Sequence, residues 1–282
     1  MAVKIVTDSA ADLPDQLVKE LGITVVPLYV RFGEEVYRDR VEISEDEFYR
    51  RLEHDPIHPS TTQPTPQDFA EVYQKLSKEA DGIISIHISG KLSGTCNSAL
   101  QATEMIEKKC PIEVVDSKVL TMSLGLIDIV AAKAAMAGKG LPEVVKEVKQ
   151  TVPEIHLLAL FDTLKYLLLG GRIGKAKALL GSILSVKPVL SLKDGEVVPA
   201  GQARTRAKGI DRLFDFAQNA VNIQDLAVVY NTTPDEAQAL AERIGSIFDR
   251  KQIKIAKVGP VLGVHMGPGA LIVALREKKA VS

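Results

Sequence analysis

Three polar segments of this 282-residue chain carry side chains that could bind an anion or act as nucleophiles. In "ISGKLSGTCNSA", residues 88–99, Ser93, Gly94 and Thr95 interrupt an apolar run just before a predicted helix. Backbone N–H groups at a helix start are free, and the helix dipole favours negative charge there. Gly94 would also let a ligand approach the backbone closely. A simple helix cap by Ser93 or Thr95 explains these residues equally well.

The other two segments lie far from Ser93 in the sequence. Thr61 and Thr62 stand in a proline-punctuated loop, residues 59–69, where a hydroxyl could donate to a ligand oxygen. Threonines are also common in turns without any ligand, and for these two residues taken alone that is the better explanation. His265 lies in "GPVLGVHMGPGAL", residues 259–271, whose glycines and prolines would let a ligand come near. Imidazole exchanges protons or pairs with anions near neutral pH, although a lone histidine is more often structural.

Several arginines near glycines are candidates for contact with an anion or a partner protein. "GGRIGK", residues 170–175, differs from a phosphate-binding loop, because its glycine spacing is one short and Ala176 replaces the hydroxyl residue. Arg172 is therefore interpreted as an exposed docking or anion-contacting side chain. Arg204 and Arg206 receive the same interpretation, with a solvated basic surface as the simpler alternative.

A hydrolase is the rival reading of the same polar residues. Ser93 as nucleophile and His265 as base would form a triad with Asp8 or Asp116. The spacing argues against it, since "GKLSG" places Ser93 fourth after the leading glycine, whereas a G-x-S-x-G elbow places the serine third. Triads are established by geometry, so this alternative stays open.

Neither a metal nor a cofactor is expected. The histidines are dispersed: His54 and His58 are predicted to face solvent, and His87 and His156 to pack within strands. The two cysteines do not have the spacing of metal ligands, and they are too few for a disulfide framework.

Composition limits the classes of partner and compartment. With 35 basic and 36 acidic side chains the net charge is -1, so no broad basic field would attract nucleic acid. No apolar run approaches the roughly 20 residues that span a bilayer, and the first residues read as a strand rather than a secretory signal. A cytoplasmic protein without an integral membrane segment is expected.

Hydrophobic patterning predicts an α/β protein whose elements bring these residues together. Strands at 3–7, 23–30, 83–88 and 112–117 alternate with helices at about 45–54, 66–79, 95–108, 122–137 and 142–151. Such alternation indicates a parallel sheet, and ligands bind beyond the carboxyl ends of its strands. From 155 onward strands predominate, with an Asp-Gly turn near residues 194–195. Two domains are therefore predicted, residues 1–153 and 154–282.

Several longer motifs, taken together, resemble the DegV family of bacterial fatty-acid-binding proteins. They follow one another in the family's order and cover nearly the whole chain. They are "TDSAADL" (7–13), "TTQPT" (61–65), "ISGKLSGTCNSA" (88–99), "VVDSKVLTMSLG" (114–125), "DTLKYLLLGGRIGKAKALLGSILSVKPVL" (162–190) and "GPVLGVHMGPGAL" (259–271).

The resemblance implies a fold and a function. The N-terminal domain would be a three-layer α/β/α unit with a parallel sheet, and the C-terminal domain a two-layer α/β unit with a mixed sheet. The family's proteins bury a long-chain fatty acid, such as palmitate, with its carboxylate near the domain junction. They are not enzymes themselves: they present the acid to an ATP-dependent fatty acid kinase, which makes the acyl phosphate used for phospholipid synthesis. A fatty-acid sensor without a kinase partner is a further alternative.

The resemblance also assigns residues. Thr61 and Ser93 would hydrogen-bond the carboxylate, Gly94 would lie beside it, and His265 would complete the network. Arg172 and Arg204 would belong to the surface that meets the kinase. The chain departs from the family's usual residues at Thr62, Thr65, Gly90, Cys96 and Ser123. None of these departures removes a proposed carboxylate ligand, but Cys96 leaves the preferred acyl chain open.

Overall fold

The computed structural model describes residues 3–107 and 110–278, with the backbone alone for residues 180–185. Strands and helices alternate through its first half, as the hydrophobic pattern predicts. In chain order they are β1 (Val3–Asp8), α1 (Asp15–Leu21), β2 (Ile23–Val26), β3 (Tyr29–Phe32), β4 (Glu35–Arg38), α2 (Glu45–His54), β5 (Ser60–Thr62), α3 (Pro66–Leu76), β6 (Gly82–His87), α4 (Thr95–Met105), β7 (Ile112–Asp116), α5 (Met122–Met136) and α6 (Leu141–Thr151).

Four of these strands form a parallel sheet in the order β2-β1-β6-β7. In β6, Ile83 packs among side chains of α3 and α4, whereas Ile84 packs into the cluster that contains α5 and α6. Successive side chains of a strand point to opposite faces, so a strand that is apolar on both faces needs helices on both sides. The predicted three-layer α/β/α arrangement with a parallel sheet is confirmed.

The starts of α2 and α3 follow from their capping residues. Ser44 Oγ accepts a hydrogen bond from the Glu47 N–H at 3.2 Å. Thr65 Oγ1 accepts from the Asp68 N–H at 3.2 Å, and the Asp68 carboxylate accepts from the Thr65 N–H at 2.7 Å. These side chains satisfy N–H groups that the helix itself leaves unpaired. The helix starts predicted after Ser44 and Thr65 are confirmed.

The segment predicted as one strand over residues 23–30 is instead two strands in different sheets. β2 ends at Val26 and β3 begins at Tyr29. Pro27 has no N–H to donate to a sheet neighbour, and the next N–H, from Leu28, donates to Ser9 Oγ at 3.0 Å. The chain therefore leaves the parallel sheet at the proline.

A small antiparallel sheet, in the order β4-β3-β5, was not predicted. Its third strand lies inside the segment 59–69 that was predicted as a loop, and there Thr61 is the partner of Val30. With only three residues, β5 is too short to be recognised from alternation alone. The loop prediction is wrong for this stretch.

Strands dominate the second half. Its elements are β8 (Ile155–Leu160), α7 (Lys165–Leu169), a 3₁₀-helical stretch (Gly174–Ser185), β9 (Lys187–Lys193), β10 (Glu196–Ala203), α8 (Arg206–Gln218), β11 (Ile223–Tyr230), α9 (Pro234–Ile244), β12 (Ile253–Lys257), α10 (Pro260–Met266) and β13 (Leu271–Glu277).

The six strands of this half form one mixed sheet, in the order β10-β9-β8-β13-β11-β12, with β11 and β12 parallel and the other pairs antiparallel. One face packs against α8 and α9, where Leu213 and Leu240 lie. The opposite face meets α5 of the N-terminal half. The predicted Asp194-Gly195 turn joins β9 to β10, and both residues have positive φ, as a tight hairpin requires. The predicted mixed sheet is confirmed.

Helix α10 was also missed, because it is short and lies among glycines and prolines. Its first turn is held by two carboxyl groups from the N-terminal half. Asp12 Oδ1 accepts from the Gly259 N–H at 2.8 Å, and Asp39 Oδ1 accepts from the Val261 N–H at 3.2 Å. These bonds use backbone groups that the helix start leaves free, so the N-terminal half sets where α10 begins.

The parallel sheet precedes α6 in the chain, and the six-stranded mixed sheet begins at β8. The change falls close to the predicted domain boundary between residues 153 and 154. The division into two domains itself stays a prediction. Within the described ranges, no helix combines the length and apolarity needed to cross a bilayer.

Replacing Asp39 by asparagine should change how stability depends on pH. Burial, with the nearby Asp12 carboxyl adding to it, raises the pKa of Asp39 from 3.8 to about 7. Between those values the unfolded chain ionises while the folded chain stays neutral, so wild-type stability falls as pH rises through this window. Asp39→Asn should therefore gain stability relative to the wild type from pH 4 to pH 8, by on the order of a few kcal/mol.

Urea unfolding at several pH values measures this difference. Asp46→Asn is a matched control, because Asp46 is exposed and Lys257 lowers the pKa of its carboxyl, which moves its titration out of the window. A constant difference between Asp39→Asn and the wild type across that range would contradict the prediction.

Candidate functional site

Thr61 and His265 meet across the two halves of the chain. Thr61 Oγ1 lies 2.9 Å from His265 Nε2, within hydrogen-bonding distance. β5 carries Thr61 at the edge of the small sheet, and α10 carries His265 in its last turn. Both β3 and β5 pack against α10, which brings the hydroxyl to the imidazole. The structure therefore brings together two predicted site residues that are 204 positions apart.

The imidazole of His265 is held in a neutral state. Its side chain is half-buried, and the Nδ1 atom is fully covered and has no hydrogen-bond partner in the part of the chain that the structure describes. Burial, with the charges of Arg172 and His58 acting in the same direction, lowers the pKa of His265 from 6.5 to about 4. Burial disfavours the charged form of a base, and a nearby positive charge acts in the same direction.

Ser93 lies in the turn between β6 and α4, close to the carboxyl end of the parallel sheet. Its Oγ is 2.8 Å from Thr95 Oγ1 and 3.4 Å from the Thr95 nitrogen. The turn is fixed from behind, since the Ser93 N–H donates to Ser89 O at 3.1 Å and Ser89 Oγ donates to Gly195 O at 2.8 Å. As a helix cap, Ser93 therefore accepts only one long hydrogen bond, from the Thr95 N–H. Its hydroxyl lies at the start of α4.

A single cavity is lined by Thr61, Ser93 and His265 together. Other polar side chains at its wall are Thr62, Gln63, Arg172 and Ser191, and the Ser191 hydroxyl donates to Leu157 O at 2.8 Å. The remaining lining residues are Leu28, Ile88, Leu92, Leu120, Leu157, Ala159, Phe161, Leu167, Leu190, Leu192, Val197, Val261, Leu262, Met266 and Ile272. A few polar groups in a mainly aliphatic wall can bind a molecule with one polar end.

The alternation of β8 shows how the aliphatic wall is built. Leu157 and Ala159 line the cavity, whereas Leu158 and Leu160 pack toward α8 and α9 on the other face. Ala159 is the smallest of the side chains that β8 presents to the cavity, so it leaves room there. This period-two pattern was available in the sequence, but the sequence alone did not tell which face would be open.

Gly94 and Gln63 contact each other at the edge of the site. A side chain on Gly94 would come within 2.8 Å of Gln63 Nε2, so the glycine makes room for the glutamine. Gly94 does not line the cavity itself; it lines an adjoining open cleft with Lys91, Ser93 and Arg172. Gln63 was missed by sequence reasoning, although it stands in the "TTQPT" motif.

The two arginines predicted to face a partner occupy different places. Arg172 follows α7 and lines the cavity, with Nε donating to Leu92 O at 3.2 Å and Nη1 to Gly170 O at 2.9 Å. Arg204 is exposed between β10 and α8 and does not line the cavity. Arg206 binds Glu236 and Gly269 O, so it serves as a structural ion pair.

The hydrolase triad is not formed. His265 has Thr61 on one nitrogen, and among the described residues it has no partner on the other and no carboxylate that orients it. Asp8 instead accepts from the backbone N–H of Ile88 and lies 3.0 Å from His87 Nδ1. Asp116 accepts from the backbone N–H groups of residues 90 and 118. A triad needs the base between nucleophile and acid, so this arrangement lacks the required contacts.

A different chain of side chains has the order of a triad but cannot meet a substrate. Asp8, His87 and Ser85 are linked at 3.0 and 2.7 Å, and Tyr73 donates to Ser85 at 2.7 Å. Asp8, His87 and Ser85 are all 0 % exposed. These four side chains form a buried network in which each polar group has a hydrogen-bond partner, and the network stabilises the core. His87 is a packing residue, as predicted.

The other histidines differ in part from their predicted places. His54 is exposed, as predicted. His156 was expected to pack but is exposed on β8. His58 was expected to face solvent but is half-buried, with its ring 5.8 Å from that of Tyr166. Cys96 is buried outside the cavity, and burial raises its pKa to about 11.

Comparison with known proteins identifies the family of the chain. A family model described as an uncharacterised protein of the DegV family matches residues 2–278. The chain belongs to the DegV family. A DegV domain-containing protein of Streptomyces coelicolor is 38 % identical over 281 residues, covering 98 % of this chain and 99 % of that protein.

Two solved structures of relatives have the same fold. A DegV family protein from Thermus thermophilus, described by its fatty acid binding, is 34 % identical, with a TM-score of 0.91 over 99 % of this chain and 100 % of that one. A stearic acid-binding protein from Eubacterium ventriosum is 28 % identical, with a TM-score of 0.88 over 97 % of this chain and 98 % of that one. Both of these relatives are described as binding a fatty acid.

His265 should remain neutral across the physiological range. Because its pKa is lowered to about 4, its imidazole should stay unprotonated from pH 8 down to about pH 5. An ordinary histidine titrates near about 6.5. Side-chain NMR of the ligand-free protein, with His265→Gln to assign the signal, measures the midpoint, and a midpoint near the ordinary value would contradict the burial argument.

Proposed function

We propose that this DegV protein binds a long-chain fatty acid such as palmitate, with its alkyl chain in the cavity and its carboxylate at Thr61, Ser93 and His265. One observation carries the proposal: these three side chains line a single cavity whose remaining wall is largely aliphatic. The solved relatives that are described as binding fatty acids support the same class of ligand.

The aliphatic wall supplies most of the favourable free energy. Burial of one methylene is worth ~0.8 kcal/mol, so a tail of about fourteen methylenes offers on the order of 10 kcal/mol before costs. Ordering the chain and restricting its motion remove part of this. What remains still favours a long acyl chain over a short one.

The polar end of the cavity must supply hydrogen bonds in place of the water molecules that the carboxylate loses on binding. A buried carboxylate without hydrogen-bond donors is costly, and bonds to an ionised group are stronger than bonds between neutral groups. Thr61 and Ser93 offer hydroxyls, Gly94 lies beside Ser93 in the adjoining cleft, and the Arg172 guanidinium adds positive charge at the wall. The neutral imidazole of His265 supports the Thr61 hydroxyl without adding a second buried charge.

We further propose that the protein presents this carboxylate to a fatty acid kinase, which would form the acyl phosphate for phospholipid synthesis, in the cytoplasm. The protein itself would be non-catalytic, since no carboxylate within residues 3–107 and 110–278 orients His265 as a hydrolase would need. The open cleft beside Ser93 offers a route by which a phosphoryl donor reaches the acid. Arg172, at the rim of both cavity and cleft, and the exposed Arg204 are proposed to meet the kinase.

Native mass spectrometry of protein purified from its own cells tests the ligand. The expected spectrum contains a complex heavier than the bare chain by the mass of a long-chain acid, and extraction should release that acid. Protein stripped of ligand and then given palmitate should regain the mass shift. A stripped protein that rejects palmitate while retaining its fold would overturn the proposed function.

A phosphorylation assay with the kinase separates head-group binding from docking. Ser93→Ala should lower phosphate transfer to the bound acid roughly tenfold or more, as loss of a hydrogen bond to a charged group costs about 1.5–3 kcal/mol. Arg204→Ala should leave acid binding unchanged but raise the protein concentration needed for half-maximal transfer.

The control for Ser93→Ala in this assay is Ser191→Ala, because Ser191 also lines the cavity but donates its hydroxyl to Leu157 O. Equal transfer by Ser93→Ala and Ser191→Ala would refute the head-group role. Acid binding without any transfer, in the wild type, would favour a sensor instead.

A further inference from the structure

The end of α7 lies directly against the imidazole of His265. Gly170 follows α7 as its C-terminal cap, and a Cβ atom built there would fall 2.1 Å from His265 Nδ1 and 2.8 Å from Cε1. No side chain fits at such distances. Gly170 has φ -77°, which every residue adopts with ease. The backbone conformation at residue 170 therefore does not require glycine. Glycine is required there because any side chain would overlap the imidazole of His265.

A second glycine makes the contact reciprocal. Gly267 ends α10 with φ +66°, and a Cβ atom there would fall 2.0 Å from Cδ2 of the Tyr166 ring in α7. Each helix thus ends in a glycine that admits a ring from the other helix. Because neither ring can shift toward the facing backbone, the two helices hold His265 in one place beside Thr61.

The contact with Gly170 also bears on which nitrogen of His265 carries the proton. A neutral imidazole has one N–H and one bare nitrogen. A proton on Nδ1 would be a buried donor pointing at a C–H group, without an acceptor among the described residues. Buried N–H groups without a partner are rare in proteins because their desolvation is not compensated. A bare Nδ1 instead meets the Cα–H of Gly170, and C–H groups are weak donors.

The opposite tautomer satisfies the other side of the ring. With the proton on Nε2, His265 donates to Thr61 Oγ1 across the 2.9 Å contact. The threonine oxygen then serves as acceptor for the histidine, and its own O–H stays available for a ligand. The positive charge of Arg172, which lowers the pKa of His265, acts against a second proton on the ring.

We propose that Gly170 is a positioning residue that holds His265 as the Nε2-protonated tautomer and thereby turns the Thr61 hydroxyl into a donor toward the ligand. The consequence for recognition rests on the proposed function: the polar end that Thr61 meets must present an acceptor oxygen, and a carboxylate does so in ionised form. Gly170 itself touches His265 and not the ligand.

The substitution Gly170→Ala tests this role. The added methyl must displace the imidazole, so palmitate affinity should fall about tenfold or more, while far-UV circular dichroism and the urea midpoint stay close to those of the wild type. Gly140→Ala is the matched control: Gly140 has an ordinary φ of -73°, and its nearest neighbours would be 3.8 Å from the new Cβ. Unchanged affinity in Gly170→Ala would overturn the proposal.

A double-mutant cycle shows whether Gly170 acts through His265. In a His265→Ala background the Gly170→Ala change should cause no further loss of affinity, since the ring that it displaces is gone. Losses that add in the double variant would show a general packing effect and contradict the proposal.

The tautomer has a readout that does not depend on ligand binding. In ¹⁵N-labelled wild-type protein without ligand, His265 should show a protonated Nε2 and an unprotonated Nδ1, and the reverse pattern would refute the proposal. Failure of palmitate binding in the wild type, together with the expected tautomer, would reject the proposed function alone.

Discussion

The hydrogen bond between Thr61 and His265 is the contact on which the site depends. It joins β5, the third strand of a small sheet in the N-terminal half, to α10 in the C-terminal half. Neither element is long enough to be stable by itself, since a short helix or strand has few internal hydrogen bonds for the entropy that it loses. Each persists because it packs against the other and against neighbours that are already folded. The polar end of the cavity therefore exists only in the assembled molecule.

Holding α10 in place requires burying two carboxyl groups. Burial raises the pKa of Asp12 to about 6 and that of Asp39 to about 7, so both carboxyl groups take up a proton at a higher pH than an exposed aspartate does. Desolvation makes the charged forms unfavourable, but the backbone N–H groups at the start of α10 and the Thr121 hydroxyl offset part of this cost. Burial of these two carboxyl groups is locally unfavourable, but their hydrogen bonds fix the helix that carries His265.

The contrast between His87 and His265 shows why residue types alone do not define a site. His87 has the acid and the serine of a catalytic triad in hydrogen-bonding order, yet it is fully buried and nothing can reach it. His265 has only a threonine, but it lines a cavity. Two properties distinguish a structural histidine from one that can meet a ligand. They are whether a ligand can reach the ring and which group contacts its second nitrogen. Both properties belong to the packed molecule.

The sequence by itself determined the class of fold, the longer elements and the family. The apolar period of the strands, the Ser44 and Thr65 caps and the Asp194-Gly195 turn are local signals, because the interactions behind them join residues only a few positions apart. The resemblance of its motifs predicted Thr61, Ser93 and His265 as site residues without showing that they meet.

Only the tertiary structure decided the break at Pro27, the small sheet, helix α10, the open face of β8 and the neighbours of each histidine. These features depend on contacts between residues up to about 250 positions apart, such as Asp12 with Gly259. No local pattern encodes such contacts, since they arise from how complete elements pack together.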